Sequence, residues 1–189
     1  NLTDNSRTAS STFYGGDVWS YAVANAADDE PLPAGAFTWE VVFHHSTHTH
    51  PFLPYLVGAN GQFTIPNTGE LDPIVWYRVY LYITDARGQR TTVVKDINPI
   101  TSNLTFNTNP AGGQVTIEGA IFPAPRTITR VVGMRFSIDV PSPQLIGSSN
   151  YGFASWTQGG SKLQTITVPP TDTTYTANLN LFVPTATPI

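Results

Sequence analysis

Ile74-Val75-Trp76-Tyr77-Arg78-Val79-Tyr80-Leu81-Tyr82-Ile83-Thr84 decides the fold class of this chain. The run is aromatic, aliphatic and β-branched, with Arg78 its single charge. Such side chains suit the pleated surface of a sheet. A strand this long and apolar predicts a central position covered on both faces. Asp85-Ala86-Arg87-Gly88-Gln89-Arg90 then reads as a turn into Thr91-Thr92-Val93-Val94, which makes a hairpin.

Upstream, Phe37-Thr38-Trp39-Glu40-Val41-Val42-Phe43 alternates, placing Phe37, Trp39, Val41 and Phe43 on one face. Asp96 to Ile100 ends this first set of strands. A second set opens at Asn103, with Leu104–Phe106 and Gln114–Ile117 flanking the turn Asn109-Pro110-Ala111-Gly112-Gly113. Further strand patterns run from Thr127 to Val132, Arg135 to Val140, Tyr151 to Trp156, Gln164 to Val168 and Thr174 to Leu181. Gly112-Gly113 and Gly159-Gly160 read as hairpin turns. Sixteen Pro and fifteen Gly break the chain at short intervals, and no stretch sustains an i, i+3, i+4, i+7 apolar pattern. The expectation is an all-β chain of two tandem β-sandwich domains, residues 1–98 and 103–183, followed by a linker-like tail, 184–189.

Composition narrows the function classes. Charged residues make up 12% of the 189, about half the usual share of about 25%. A surface covered by Thr, Ser, Asn and Gly is typical of secreted modules. Net charge is −4, with nine basic residues and no cluster of them, which argues against nucleic acid as a partner. No apolar run reaches the ~18 residues needed to span a bilayer. There is no Cys, so any metal must take nitrogen and oxygen ligands.

All four histidines fall in Phe43-His44-His45-Ser46-Thr47-His48-Thr49-His50-Pro51-Phe52. In an extended strand His45 follows Trp39, Val41 and Phe43 inward while His44 points outward. His48 and His50 then share a face, ~6.6 Å apart along the strand. His44 or His45 joins them only if Ser46-Thr47 forms a turn. Two or three imidazoles with a carboxylate or water would suit zinc or copper, with Glu40, Asp17, Asp28 and Asp29 as the candidate carboxylates. The alternatives are a polar loop contacting a ligand and plain structural use. Asp28-Asp29-Glu30 is a candidate calcium turn, with a solvated acidic loop as its alternative. Trp39, Trp76 and Trp156 lie inside strand patterns and are expected in the core. Trp19, Tyr14 and Tyr55 are less committed and are candidates to contact a ligand. No pairing of carboxylates points to a glycosidase, and no G-x-S-x-G elbow or phosphate-binding glycine loop occurs.

Three resemblances are carried by particular residues. Gly16-Asp17-Val18-Trp19-Ser20-Tyr21, Ala27-Asp28-Asp29-Glu30, Trp39-Glu40-Val41, Trp76-Tyr77-Arg78-Val79 and Thr84-Asp85-Ala86-Arg87-Gly88 together resemble a PKD-type, immunoglobulin-like sandwich. The segment Trp39 to Phe52 resembles a stretch of the modules that follow the catalytic propeller in secreted bacterial glucose/sorbosone-dehydrogenase-like and related carbohydrate-active proteins. Asn109-Pro110-Ala111-Gly112-Gly113, Tyr151-Gly152-Phe153-Ala154-Ser155-Trp156, Gly159-Gly160 and Thr173-Thr174-Tyr175-Thr176-Ala177 are similar to a bacterial extracellular β-repeat. The resemblance implies a secreted, non-enzymatic accessory module of bacterial origin. Its partners would be a polysaccharide or oligosaccharide, met near the His44–His50 loop, and the catalytic domain of a parent protein. The propeller itself is not in the sequence, so no dehydrogenase activity transfers. A small copper- or zinc-dependent enzyme and a structural spacer are the other readings.

Overall fold

The computed structural model describes residues 1–5, 11–24, 26 and 28–182; the 184–189 tail lies outside the described residues. Among the described residues the chain is all-β, and no helix is long and apolar enough to cross a membrane. Backbone contacts divide it into two compact units, Asn1–Ile100 and Thr101–Ile189.

The first unit holds β1 (Leu2–Asp4), β2 (Thr12–Phe13), β3 (Val18–Ala22), β4 (Phe37–His45), β5 (His48–Val57), β6 (Asn60–Thr64), β7 (Val75–Thr84) and β8 (Arg90–Pro99). A three-stranded sheet runs β1-β3-β6 and a five-stranded sheet runs β2-β8-β7-β4-β5. Every pairing is antiparallel except β2 with β8, which is parallel. Tyr21 of β3 meets Trp39 of β4 at 4.5 Å between ring centroids, and Phe52 of β5 meets Phe63 of β6 at 6.0 Å. The inner sides of the two sheets thus close on one core, with Trp19, Val41, Ile65 and Ile97 fully buried. The indole N–H of Trp39 donates to the Gly58 carbonyl at 2.9 Å, so its polar atom is satisfied inside that core.

The alternation of Phe37–Phe43 carries through β4, with Trp39 and Val41 buried. β7 corrects the expectation of a strand covered on both faces. Val75, Tyr77 and Val79 are buried, whereas Trp76, Arg78, Tyr80 and Tyr82 form a half-buried outer side. Trp76 is therefore not a core residue. The turn after β7 is fixed by Asp85, whose carboxylate accepts from the backbone N–H groups of Arg87 and Gln89.

The second unit holds β9 (Thr101–Asn109), β10 (Gln114–Ile117), β11 (Ala120–Pro123), β12 (Arg126–Val131), β13 (Arg135–Asp139), β14 (Gln144–Ile146), β15 (Ser149–Trp156), β16 (Gln164–Thr167) and β17 (Thr173–Leu181). Its sheets run β11-β10-β13-β16 and β12-β9-β17-β15-β14, with β17 parallel to β9. Phe106 of β9 stands 6.4 Å from Phe136 of β13, and Trp156 is buried. The turns at Gly112-Gly113 and Gly159-Gly160 are not hairpins. Each carries the chain from one sheet to the other, β9 to β10 and β15 to β16. The reason lies in burial: β9 and β10 each turn one side to the same core, so the connection crosses it rather than pairing them.

Candidate functional site

Ser46-Thr47 is a two-residue turn joining β4 to β5, with Ser46 in the left-handed region at φ 50°. The ladder then pairs His45 with His48, His44 with Thr49, and Phe43 with His50. Side chains alternate along each strand, so His45, His48 and His50 share one side of the hairpin. One ring nitrogen from each can be chosen so that all lie within 4.8 Å of one another. His48 and His50 are exposed and His45 is half-buried. The Phe43 ring stacks against both His45 and His50, so the imidazoles cap the aromatic end of the core.

Two carboxylates arrive from the loop between β6 and β7. Glu70 and Asp72 each bring an oxygen to the Nε2 of His45, at 3.3 and 3.7 Å. In both, the other oxygen accepts a backbone N–H, from Asp72 onto Glu70 and from Ile74 onto Asp72. Leu71 between them is buried. The N–H of Ser46 donates to the Ile74 carbonyl at 2.9 Å, tying hairpin tip to loop. Sequence reasoning raised Glu40, Asp17, Asp28 and Asp29 as partners for the histidines and did not single out Glu70 or Asp72. The only local signal for them was their place just before the Ile74 strand.

His44 leaves this group. It faces outward, its ring stacked on Trp76 at 4.5 Å and 16°. Burial and then the Arg78 charge lower its pKa, favouring the neutral ring. It begins a row on the outer side of the five-stranded sheet. Register places His44 beside Trp76, Val42 beside Arg78, Glu40 beside Tyr80 and Thr38 beside Tyr82. Arg78 grips Asp96 on β8 through two hydrogen bonds, at 2.7 and 2.8 Å. Tyr82 donates its hydroxyl to Glu40 at 2.7 Å, and the Arg90 guanidinium lies 3.5 Å from the centre of its ring. Tyr80 and Tyr82 are parallel at 5.8 Å, and Tyr55 reaches Tyr82 at 5.9 Å. Tyr55 is 62% exposed.

The remaining candidates fall elsewhere. Trp19 is fully buried on β3 and offers no face to a ligand, which corrects that expectation. Tyr14 follows β2, at the opposite edge of the sheet from β5, so it does not flank the histidines. Asp28, Asp29 and Glu30 are exposed, with the Arg87 guanidinium on Glu30 and 3.9 Å from Asp29. The Arg87 guanidinium thus offsets part of the charge of this acidic turn.

Comparison of the chain with family models, with curated proteins and with solved structures gave no match.

Proposed function

We propose that the chain is a non-catalytic recognition module of a secreted, bacterial carbohydrate-active protein, and that its first unit binds a polysaccharide or oligosaccharide. Both units are read as β-sandwiches, the first of immunoglobulin or PKD type. Strand order supports that reading. Antiparallel β4, β7 and β8 stand in the places of the third, sixth and seventh strands of an immunoglobulin domain, and a buried Trp lies on the third.

One observation carries the binding reading: the outer side of a single sheet collects Tyr55, Trp76, Tyr80 and Tyr82, interleaved with Glu40, Arg78, Arg90 and Asp96. Aromatic surface packs against the C–H faces of sugars, while the carboxylates and guanidinia match their hydroxyls. Neighbours hold these side chains, so little rotamer freedom remains to be lost on binding. Tyr55 supplies open aromatic surface, and Trp76 adds a half-buried ring stacked on His44. The row begins at His44, beside the hairpin turn, so the surface adjoins the histidine segment.

The test is retention of the full chain on a panel of insoluble polysaccharides, followed by affinity electrophoresis with soluble ones. The reading expects at least one polysaccharide to retain it, with the sugar recovered unchanged. A Tyr55→Ala/Trp76→Ala variant should bind at least ~10-fold more weakly, as loss of hot-spot aromatics does. No retention on any polysaccharide would leave a spacer. Cleaved or oxidised sugar would replace recognition with catalysis.

A further inference from the structure

We infer that His45, His48 and His50, backed by Glu70 and Asp72, form a binding site for one divalent transition ion of the zinc and copper class. The inference does not depend on carbohydrate binding, since the site and the aromatic row lie on different sides of the hairpin.

Convergence comes first. Three imidazoles present nitrogens within 4.8 Å of one another. A tetrahedral zinc ion with bonds of about 2.0–2.1 Å needs donors about 3.3 Å apart. His48 and His50 are exposed at the hairpin tip, so ring rotation can close that gap without moving the ladder.

Backing comes second. Histidines that hold metals typically have a carboxylate on the other ring nitrogen, which fixes the ring and raises its basicity. Glu70 and Asp72 both face the Nε2 of His45, each pinned through its other oxygen by a backbone N–H. A run of tag-like histidines has no such support. The two carboxylates also offset the charge of a divalent ion.

Donor type selects the ion. Imidazole nitrogen favours zinc and copper, whereas calcium and magnesium require mostly oxygen. Three protein nitrogens leave a further position for water or an oxygen of a bound molecule.

The experiment is equilibrium dialysis of the full, tag-free chain against zinc chloride, with metal content read by mass spectrometry and thermal unfolding followed alongside. The expected result is one zinc per chain at micromolar or lower free zinc, a Tm that rises with zinc, and no uptake of calcium. His48→Ala and His50→Ala should each weaken binding by about 100-fold or more, and Glu70→Gln by about 10–100-fold. His44→Ala should bind as the parent does. Each variant's metal-free Tm shows that it folds. Uptake only at millimolar zinc, an equal loss in His44→Ala and His48→Ala, or unchanged affinity in Glu70→Gln would each overturn the site and leave an adventitious histidine cluster.

Discussion

Arg78 and Asp96 clasp across β7 and β8 in a two-pronged pair, Nε to Oδ1 at 2.7 Å and a terminal nitrogen to Oδ2 at 2.8 Å. This geometry is the strong form of an arginine–carboxylate contact. Both side chains are about one-third exposed, 35% and 36%, so water screens much of the attraction. The Arg78 hydrogen bonds, opposed by burial, hold the Asp96 carboxyl below its ordinary value of 3.8. A carboxylate with a depressed folded-state pKa adds stability above the unfolded value and loses it as acid protonates it. Asp96→Asn should therefore cost about 0.5–1 kcal/mol at pH 7, with the gap closing below about pH 4 as the native Asp96 is protonated. Urea unfolding of both proteins at pH 7 and pH 3 checks this; a gap as large at pH 3 would show that the ion pair is not its source.

The opposite limb of the pH curve belongs to the tyrosines. Burial, and then the hydrogen bond to Glu40, push the Tyr82 hydroxyl up to about 12, and burial raises Tyr77 further. A raised folded-state pKa contributes stability that is fully present below the unfolded value of 10.0 and falls as pH climbs above it. Stability should thus decline from pH 9 to pH 11. Tyr82→Phe should decline less steeply, while losing about 1 kcal/mol at pH 7 with the Glu40 bond. Chemical denaturation at the two pH values measures both effects, and parallel slopes in the two proteins would refute the assignment to Tyr82.

These side chains mark what the sequence makes legible. Period-two alternation in Phe37–Phe43 is a local property, and it placed His45 inward and His44 outward. The apolar length of Ile74–Thr84 announced a strand but misjudged its outer side, because Trp76, Tyr80 and Tyr82 are large yet carry polar edges that tolerate water. β5 was harder to read. Pro51 and Pro54 break the usual strand pattern, but they are accommodated because β5 is an edge strand. β11 was missed altogether. It follows the tight turn at Glu118-Gly119, where both residues have positive φ, a pairing the sequence scan did not weigh. Glu70 and Asp72 meet His45 only through tertiary folding, about 25 residues along the chain, where spacing rules carry no information. The route from β9 to β10 likewise depends on which sheet each strand joins.

Gly113 tests that route. A Cβ built on it would stand 2.8 Å from Oε1 of Gln144 and 2.9 Å from Oγ1 of Thr108. Neither neighbour yields easily. Gln144 is buried, accepts from the Gln114 N–H at 2.6 Å and donates to the Pro141 carbonyl at 3.0 Å. Thr108 accepts from the N–H of Gly113 itself. Gly113→Ala should lower stability by about 1–3 kcal/mol through overpacking. Thermal unfolding decides the matter, and a variant as stable as the parent would mean that the Gln144 network shifts freely.

Trp39 offers the sharpest test of the first unit's core. It is 4% exposed, packs on Tyr21 and satisfies its indole N–H on the Gly58 carbonyl. Trp39→Ala removes the ring and leaves a cavity between the two sheets, at a cost of about 3–5 kcal/mol. Trp39→Phe keeps most of the volume but leaves the Gly58 carbonyl without its donor, at about 1–3 kcal/mol. The order Ala worse than Phe worse than parent, read from denaturant midpoints at an unchanged m-value, is the expected outcome. Equal losses for Phe and Ala would assign the stabilisation to the hydrogen bond rather than to packing, since the two variants share that loss and differ only in the volume they leave.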